Sequence, residues 1–133
     1  HMATLNLTAD TFGDTVRSND TVFIDFWAAW CGPCRMFAPT YEAASEEHPG
    51  IVFGKVDTED QQALAAQFGI QSIPTLMAIR DGIVLFSQPG ALAKAQLDQV
   101  IEAVQAADMD DIRRQVAEAE QADGSAQQAS SQA

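Results

Sequence analysis

The chain has 133 residues, 47% of them hydrophobic, which is enough to form the core of one domain without stabilising disulfides or metal ions. Its formal net charge of -12 argues against nucleic acid as a partner, because a phosphate backbone requires clustered basic residues and the seven here are scattered. No apolar run approaches the roughly 18 uncharged residues that cross a bilayer, so we expect no contact with a membrane.

The first half of the chain predicts a strand, a helix and a second strand. Residues 21–28 and 51–57 are short runs of β-branched and aromatic residues, which are typical of buried strands. Residues 33–47 between them predict a helix. Pro33 falls in its first turn, where a missing N–H is tolerated, whereas Pro39 lies inside the helix and is expected to kink it.

The second half predicts a short helix, a hairpin and a final helix. The short helix spans 61–67 and ends before Gly69. Residues 75–79 and 83–87 are predicted to pair as a hairpin that turns at Asp81 and Gly82. Residues 93–105 carry apolar side chains at helical spacing and predict a helix that covers the sheet. This order of elements predicts an α/β domain with a mixed sheet.

Composition divides the chain into a domain of residues 3–105 and an acidic extension of residues 106–133. Asp108 is a candidate N-cap for a marginal helix over 108–122, and we expect disorder beyond it. The extension is either a solvated segment or one that docks on the domain or a partner. His1 and Met2 resemble a cloning scar, so an upstream targeting segment could have been trimmed.

The two cysteines, Cys31 and Cys34, admit three interpretations. A structural disulfide that closes so short a loop adds little stability to the fold, because the entropy that it removes from the unfolded chain grows with loop length. A zinc site usually needs four ligands, and the only histidines are His1 and His48. The third interpretation is a redox pair, which we favour, and we expect no metal site.

A redox pair needs a thiolate, because disulfide exchange proceeds by thiolate attack on a sulfur. Cys31 precedes a predicted helix, whose unpaired N–H groups and dipole stabilise negative charge and lower the pKa of the thiol. Cys34 lies one turn further along, within reach of the Cys31 sulfur. Gly32 allows the backbone to turn and Pro33 fixes its φ angle.

Asp25 is the one acid inside the first predicted strand. Because side chains alternate between the two faces of a strand, the side chain of Asp25 is predicted to point away from those of Ile24 and Phe26. From the residues alone, it is either an exposed edge residue or a buried functional acid.

The segment DFWAAWCGPC, followed about forty residues later by FGIQSIPT, resembles the thioredoxin family over residues 4–105. The resemblance implies a thioredoxin fold, a central mixed sheet flanked by helices. It implies that Cys31 is the exposed nucleophile and Cys34 the buried resolving thiol. It also favours Asp25 as a buried acid of raised pKa that deprotonates Cys34, with Lys55 as its partner.

The same resemblance implies a docking surface for substrates and a cis peptide bond between Ile73 and Pro74. The backbone of Ile73 would pair with an extended segment of the substrate. The surface would be flat, apolar and uncharged, which suits many unrelated substrates. Its residues would be Trp27, Trp30, Gly32, Pro33, Ile73, Pro74, Gly90 and Ala91.

The function implied by this resemblance is the reduction of protein disulfides through Cys31 and Cys34. The partners would be diverse disulfide-containing proteins and a flavin- and NADPH-dependent thioredoxin reductase that recharges the pair. We expect no bound cofactor, a monomer, and a place in the cytoplasm. Two alternatives remain: an oxidant or isomerase, which the Gly-Pro between the cysteines disfavours, and a binding module that contacts its partner through the extension.

Overall fold

The computed structural model describes residues 3–132; His1 and Met2, interpreted as a cloning scar, lie outside the described residues. Strands and helices alternate along most of the chain. The strands are β1 (Leu5–Asn6), β2 (Thr21–Trp27), β3 (Val52–Asp57), β4 (Thr75–Arg80) and β5 (Ile83–Pro89). The helices are α1 (Ala9–Ser18), α2 (Gly32–Glu47), α3 (Gln62–Gln67), α4 (Lys94–Ala106) and α5 (Met109–Gln132).

The strands form one mixed sheet in the order β1-β3-β2-β4-β5. β3 runs parallel to β1 and β2, whereas β4 is antiparallel to β2 and β5. β2 is the central strand and is buried along almost its whole length, which explains why its residues are apolar apart from Thr21 and Asp25. The predicted mixed sheet is confirmed.

Helices cover both faces of this sheet. Phe23 of β2 packs in a core cluster with buried residues of α2 and α4. The next residue, Ile24, packs in a second cluster with buried residues of α1 and α3. Because side chains alternate along a strand, Asp25 faces the same side as Phe23, towards α2 and α4. The predicted alternation places this acid between the central strand and the helix that carries the cysteines.

The predicted hairpin is confirmed, and its strands are slightly longer than expected. Asp81 and Gly82 have φ angles of 53° and 78°, the positive values that a two-residue hairpin turn requires. The register shifts between Ala78 and Ile79, where a bulge places one extra residue in β5. β4 and β5 thereby bring Thr75 and Pro89 together at one end of the sheet.

The sequence did not reveal β1 and α1. β1 has only two residues, too few for an alternating pattern, and both are exposed. α1 buries a single large side chain, that of Phe12, and contains Gly13, a poor helix former. Helices α2, α3 and α4 lie within one residue of their predicted bounds, and α2 continues through Pro39.

α5 begins against the domain. Met109 is buried, and the guanidinium of Arg113 bridges Asp81 in the hairpin turn and Asp110, at 3.1 and 2.7 Å. The helix continues to Gln132, whereas the sequence predicted a helix over 108–122 followed by disorder. The division into domain and extension stays a prediction. Within the described residues, no helix has the length and apolar character needed to cross a membrane.

Candidate functional site

The cysteines form a disulfide at the N-terminus of α2, with their Cα atoms 5.2 Å apart. Cys31 is the N-cap residue of this helix, and its Sγ accepts a hydrogen bond of 3.2 Å from the amide of Cys34. Pro33 follows Gly32 in the first turn, where the helix needs no N–H donor from it. The predicted position of the pair at a helix start is confirmed.

Both cysteines are buried in this disulfide form: Cys31 is 4% exposed and Cys34 2%. The expectation that Cys31 is an exposed nucleophile is therefore wrong for the oxidised chain. Its side chain packs in a small apolar cluster with Ala28 and Cys34, against which Trp27 and Ile73 also pack. These neighbours cover the sulfur from the side of β2 and from the loop before β4.

Asp25 is fully buried on the face of the sheet that α2 covers. Neither of its carboxylate oxygens has a hydrogen-bond partner among the described residues. Burial penalises the charged form and raises the pKa of Asp25 from 3.8 to about 7, although the charge of Lys55 acts in the opposite direction. Such a carboxyl can exchange a proton near neutral pH.

Cys34 shares a face of α2 with two residues that pack on the side of the sheet where Asp25 is buried. The buried residues of α2 include Cys34, Phe37 and Tyr41, which recur at helical spacing and face the sheet. Burial and the negative charge of Asp25 both raise the pKa of Tyr41, whose hydroxyl donates a 2.8 Å hydrogen bond to the carbonyl of Gly54. The sequence did not single out Tyr41, although its spacing from Cys34 is that of two helical turns.

Lys55 lies opposite Asp25 in the register of β3 and β2. Its ammonium group lies over the ring of Trp27, 4.6 Å from the ring centre, which is a cation–π contact. Among the described residues, the structure contains no hydrogen bond between Lys55 and Asp25. Lys55 therefore acts on the acid through its charge and is held in place by the tryptophan.

The loop before β4 reaches the disulfide. The bond between Ile73 and Pro74 is cis, as the resemblance implied, and the carbonyl oxygen of Ile73 lies 3.7 Å from Cys31 Sγ. The carbonyl of Pro74 accepts a 2.8 Å hydrogen bond from the amide of Gly90. This bond joins the two loops that the resemblance assigned to substrate docking.

Around the disulfide, the surface is partly apolar. Trp30 is 67% exposed, and its indole N–H donates a 2.8 Å hydrogen bond to Glu59. Pro33, Gly90 and Ala91 are also exposed. Trp27, by contrast, is only partly exposed and supports the disulfide from beneath, while Pro74 is buried.

Met36 is an exposed residue near the pair that the sequence pattern did not single out. It is 77% exposed and lies three residues after Pro33, so both side chains project from neighbouring positions on α2. The guanidinium of Arg35 turns back to the carbonyl of Ala29, at 2.9 Å. Spacing along the helix would have identified Met36 as part of the apolar rim. Among the described residues, no group of acids, cysteines and histidines is arranged to hold a metal ion.

Comparisons with known proteins agree with this geometry. A family model described as Thioredoxin matches residues 3–103. The chain is 54% identical over 116 residues to "Putative thioredoxin 2" of Streptomyces coelicolor, covering 87% of each chain. It is 46% identical over 94 residues to "Thioredoxin" of Haemophilus influenzae, covering 70% of this chain and 88% of that one.

Solved structures are similar as well. A thioredoxin from Plasmodium falciparum superposes with a TM-score of 0.70 at 33% identity, over 77% of this chain and 99% of that one. A mutant thioredoxin from Halobacterium salinarum has a TM-score of 0.70 at 34% identity, over 74% of this chain and 88% of that one.

Proposed function

Because this chain belongs to the thioredoxin family, we propose that it reduces disulfide bonds in other proteins through Cys31 and Cys34. The chain is a thiol–disulfide oxidoreductase. The observation that carries the proposal is the Cys31–Cys34 disulfide, which caps α2 on the side of the sheet where Asp25 is buried.

The reaction transfers two electrons. In the reduced chain, the Cys31 thiolate attacks one sulfur of the substrate disulfide; that S–S bond breaks, and the other substrate sulfur leaves as a thiolate that takes up a proton. The Cys34 thiolate then attacks Cys31 Sγ in the mixed disulfide, which releases the second substrate thiol. The chain ends with the disulfide of the present structure, and the substrate disulfide has become two thiols.

The start of α2 supports Cys31 as the attacking group. The amide of Cys34 donates to Cys31 Sγ, and such a donor stabilises a thiolate more than a neutral thiol. Asp25 is the proton acceptor for Cys34, because its pKa of about 7 allows it to take up and release a proton near neutral pH. Lys55 limits the rise of that pKa and so is a positioning residue for the proton transfer.

Substrate binding is assigned to the surface beside the disulfide. The backbone of Ile73 lies next to Cys31 Sγ and is available to an extended segment that carries the target cysteine. Trp30, Pro33, Gly90 and Ala91 form the exposed border of this surface, and Gly32 allows close approach. Trp27 and Pro74 support it from below.

The proposal extends to partners and compartment. A thioredoxin reductase that draws electrons from NADPH through a flavin would return the disulfide to the dithiol, so the chain itself needs no bound cofactor. The cytoplasm is the proposed location, because a reductant of protein disulfides works where thiols are kept reduced. We propose that the chain acts as a monomer.

Reduction of insulin by dithiothreitol tests the activity. The wild-type chain should accelerate precipitation of the reduced insulin chains, and Cys34→Ser should lose nearly all of that acceleration because it cannot resolve the mixed disulfide. Equal rates for the two proteins would instead support the alternative of a binding module.

A further inference from the structure

A second apolar surface lies away from the disulfide, in a groove between β5 and α4. The groove has a volume of about 460 Å³, and α5 closes one end of it. Among the described residues, its walls carry no charged side chain, although one residue in five of the chain is charged. Its residues include Phe86, Gln88, Leu92, Val100, Ala103 and Ile112.

The groove is open because of the sheet order. β5 is an edge strand, so none of the other described strands pairs with its outer side. Phe86 pairs with Ala78 in the register of β5 and β4, and therefore faces the same core layer as α4. The lining positions of α4 and its end extend from Gln96 to Ala107, which corresponds to about 16 Å of helix. A protein segment of several residues would fit along it.

This groove adjoins the proposed docking surface along the chain. Gln88 and Leu92 line the groove, and they flank Gly90 and Ala91 in sequence. The amide of Gly90 is bonded to the carbonyl of Pro74, which fixes this loop beside the redox site. A substrate bound at the disulfide can thus extend past Gly90 into the groove.

The charges around the groove indicate what kind of segment it accepts. Residues 92–112, which span the lining residues of α4 and α5, contain five acidic residues and one basic residue, Lys94. Lys94 and the two arginines that follow this stretch already form ion pairs: Lys94 with Glu47 and Asp98, Arg113 with Asp81 and Asp110, and Arg114 with Asp111. A second copy of the chain would bring the same acidic helices, whereas a segment with basic ends would be attracted.

We propose that this groove is a second docking site for protein substrates, and that it binds an apolar segment bordered by lysine or arginine. The inference rests on the proposed disulfide reduction and adds a preference among its substrates. An apolar core with complementary charges at the rim is the usual composition of a protein–protein contact. A substrate is reduced faster at low substrate concentration when such a segment extends from its disulfide past Gly90 into the groove.

Two synthetic peptides test the preference. Each contains the same small disulfide loop and a flexible Gly-Ser linker. One ends in an apolar run with a lysine at each border, and the other has serines in the run and glutamates at its borders. With dithiothreitol as the electron donor, we expect kcat/KM to be about tenfold higher for the apolar peptide, a ratio that corresponds to about 1.4 kcal/mol.

Two alanine positions on α4 provide matched variants. Ala103→Lys places a charge in the groove and repels the basic borders, so the preference should disappear. Ala106→Lys makes the same change at an exposed position outside the groove lining and should keep the preference. Both variants should reduce the bare disulfide loop as fast as wild type, which verifies that the redox site is intact.

The remaining outcomes are decisive. Equal kcat/KM for the two peptides in wild type overturns the docking site while leaving the reductase proposal intact, since both peptides are still reduced. Failure to reduce even the bare loop overturns the proposed function itself. A preference that survives Ala103→Lys, or that both variants lose, overturns the groove as its origin. Self-association in sedimentation that Ala103→Lys abolishes would identify a second copy as the occupant and overturn the proposal.

Discussion

Asp25 and Lys55 are partners in the register of the two central parallel strands, yet the lysine ammonium lies over Trp27 and makes no hydrogen bond to the buried carboxylate. Among the described residues the carboxylate thus has no direct partner, and its pKa is raised to about 7 chiefly by burial. An unpaired buried carboxylate destabilises the fold once it ionises. Its presence between the central strand and the cysteine-bearing helix is therefore most readily explained by function.

The buried acid makes stability depend on pH. The pKa of Asp25 is about 7 in the folded chain and 3.8 in the unfolded reference, so the folded chain holds the proton more tightly. The resulting stabilisation is complete below the unfolded pKa, falls as pH rises between the two values, and is lost above about pH 7. Asp25→Asn should thus gain stability relative to wild type over this range, by up to about 4 kcal/mol.

Urea unfolding of the oxidised chain at several pH values measures this difference. The matched control is Asp60→Asn, at an exposed position, which should follow the wild-type pH dependence. If the free energies of unfolding of Asp25→Asn and wild type differ by the same amount from about pH 4 to pH 8, Asp25 does not titrate with a raised pKa.

The charge of Lys55 is expected to tune the same titration. Because that charge lowers the pKa of Asp25, Lys55→Gln should move the midpoint of the Asp25 titration to higher pH. Lys55→Arg keeps the positive charge and should leave the midpoint near that of wild type. Carbon-13 NMR of the Asp25 carboxyl reports the midpoint directly, and coincident titrations in all three proteins contradict the assignment.

Arg80 is expected to hold the end of α4. Its Nη1 lies 2.9, 3.0 and 3.1 Å from the carbonyl oxygens of Val104, Gln105 and Ala107, at the C-terminal end of α4, where carbonyls lack the usual amide donor from the next turn. Arg80→Met should lower the free energy of unfolding by about 1–3 kcal/mol. Arg114→Met removes only an exposed pair with Asp111 and should cost less than about 1 kcal/mol. Denaturant midpoints compare the two, and equal losses would refute the capping role.

Gly90 is expected to be required for its backbone conformation. Its φ angle is 110°, and a Cβ built there would meet no atom within 4 Å, so any cost of a side chain comes from the backbone. Gly90→Ala should destabilise by about 1–2 kcal/mol and slow insulin reduction if the loop shifts away from Pro74. Gly50→Ala also meets open space but has no positive φ, so it should be neutral or slightly stabilising. Thermal unfolding of both variants provides the comparison.

Much of the fold could be predicted because its signals are local. The apolar runs of β2 and β3, the turn at Asp81 and Gly82 and the helical spacing of α4 each lie within a few residues of sequence. β1 is too short to show a pattern, and α1 buries only one large side chain. Their stability comes from contacts with distant elements, which no local pattern records.

By itself, the sequence determined the reactive pair and its placement at a helix start, because the residues from Cys31 to Cys34 set that geometry within one turn. Tertiary structure alone decided how that pair is surrounded. The pKa of Asp25 depends on α2, which covers the carboxyl and removes water from it. The position of Lys55 depends on the ring of Trp27, and the burial of Cys31 depends on the loop at Ile73. Burial and electric field are sums over residues far apart in the chain, so they exist only once the sheet and helices have packed.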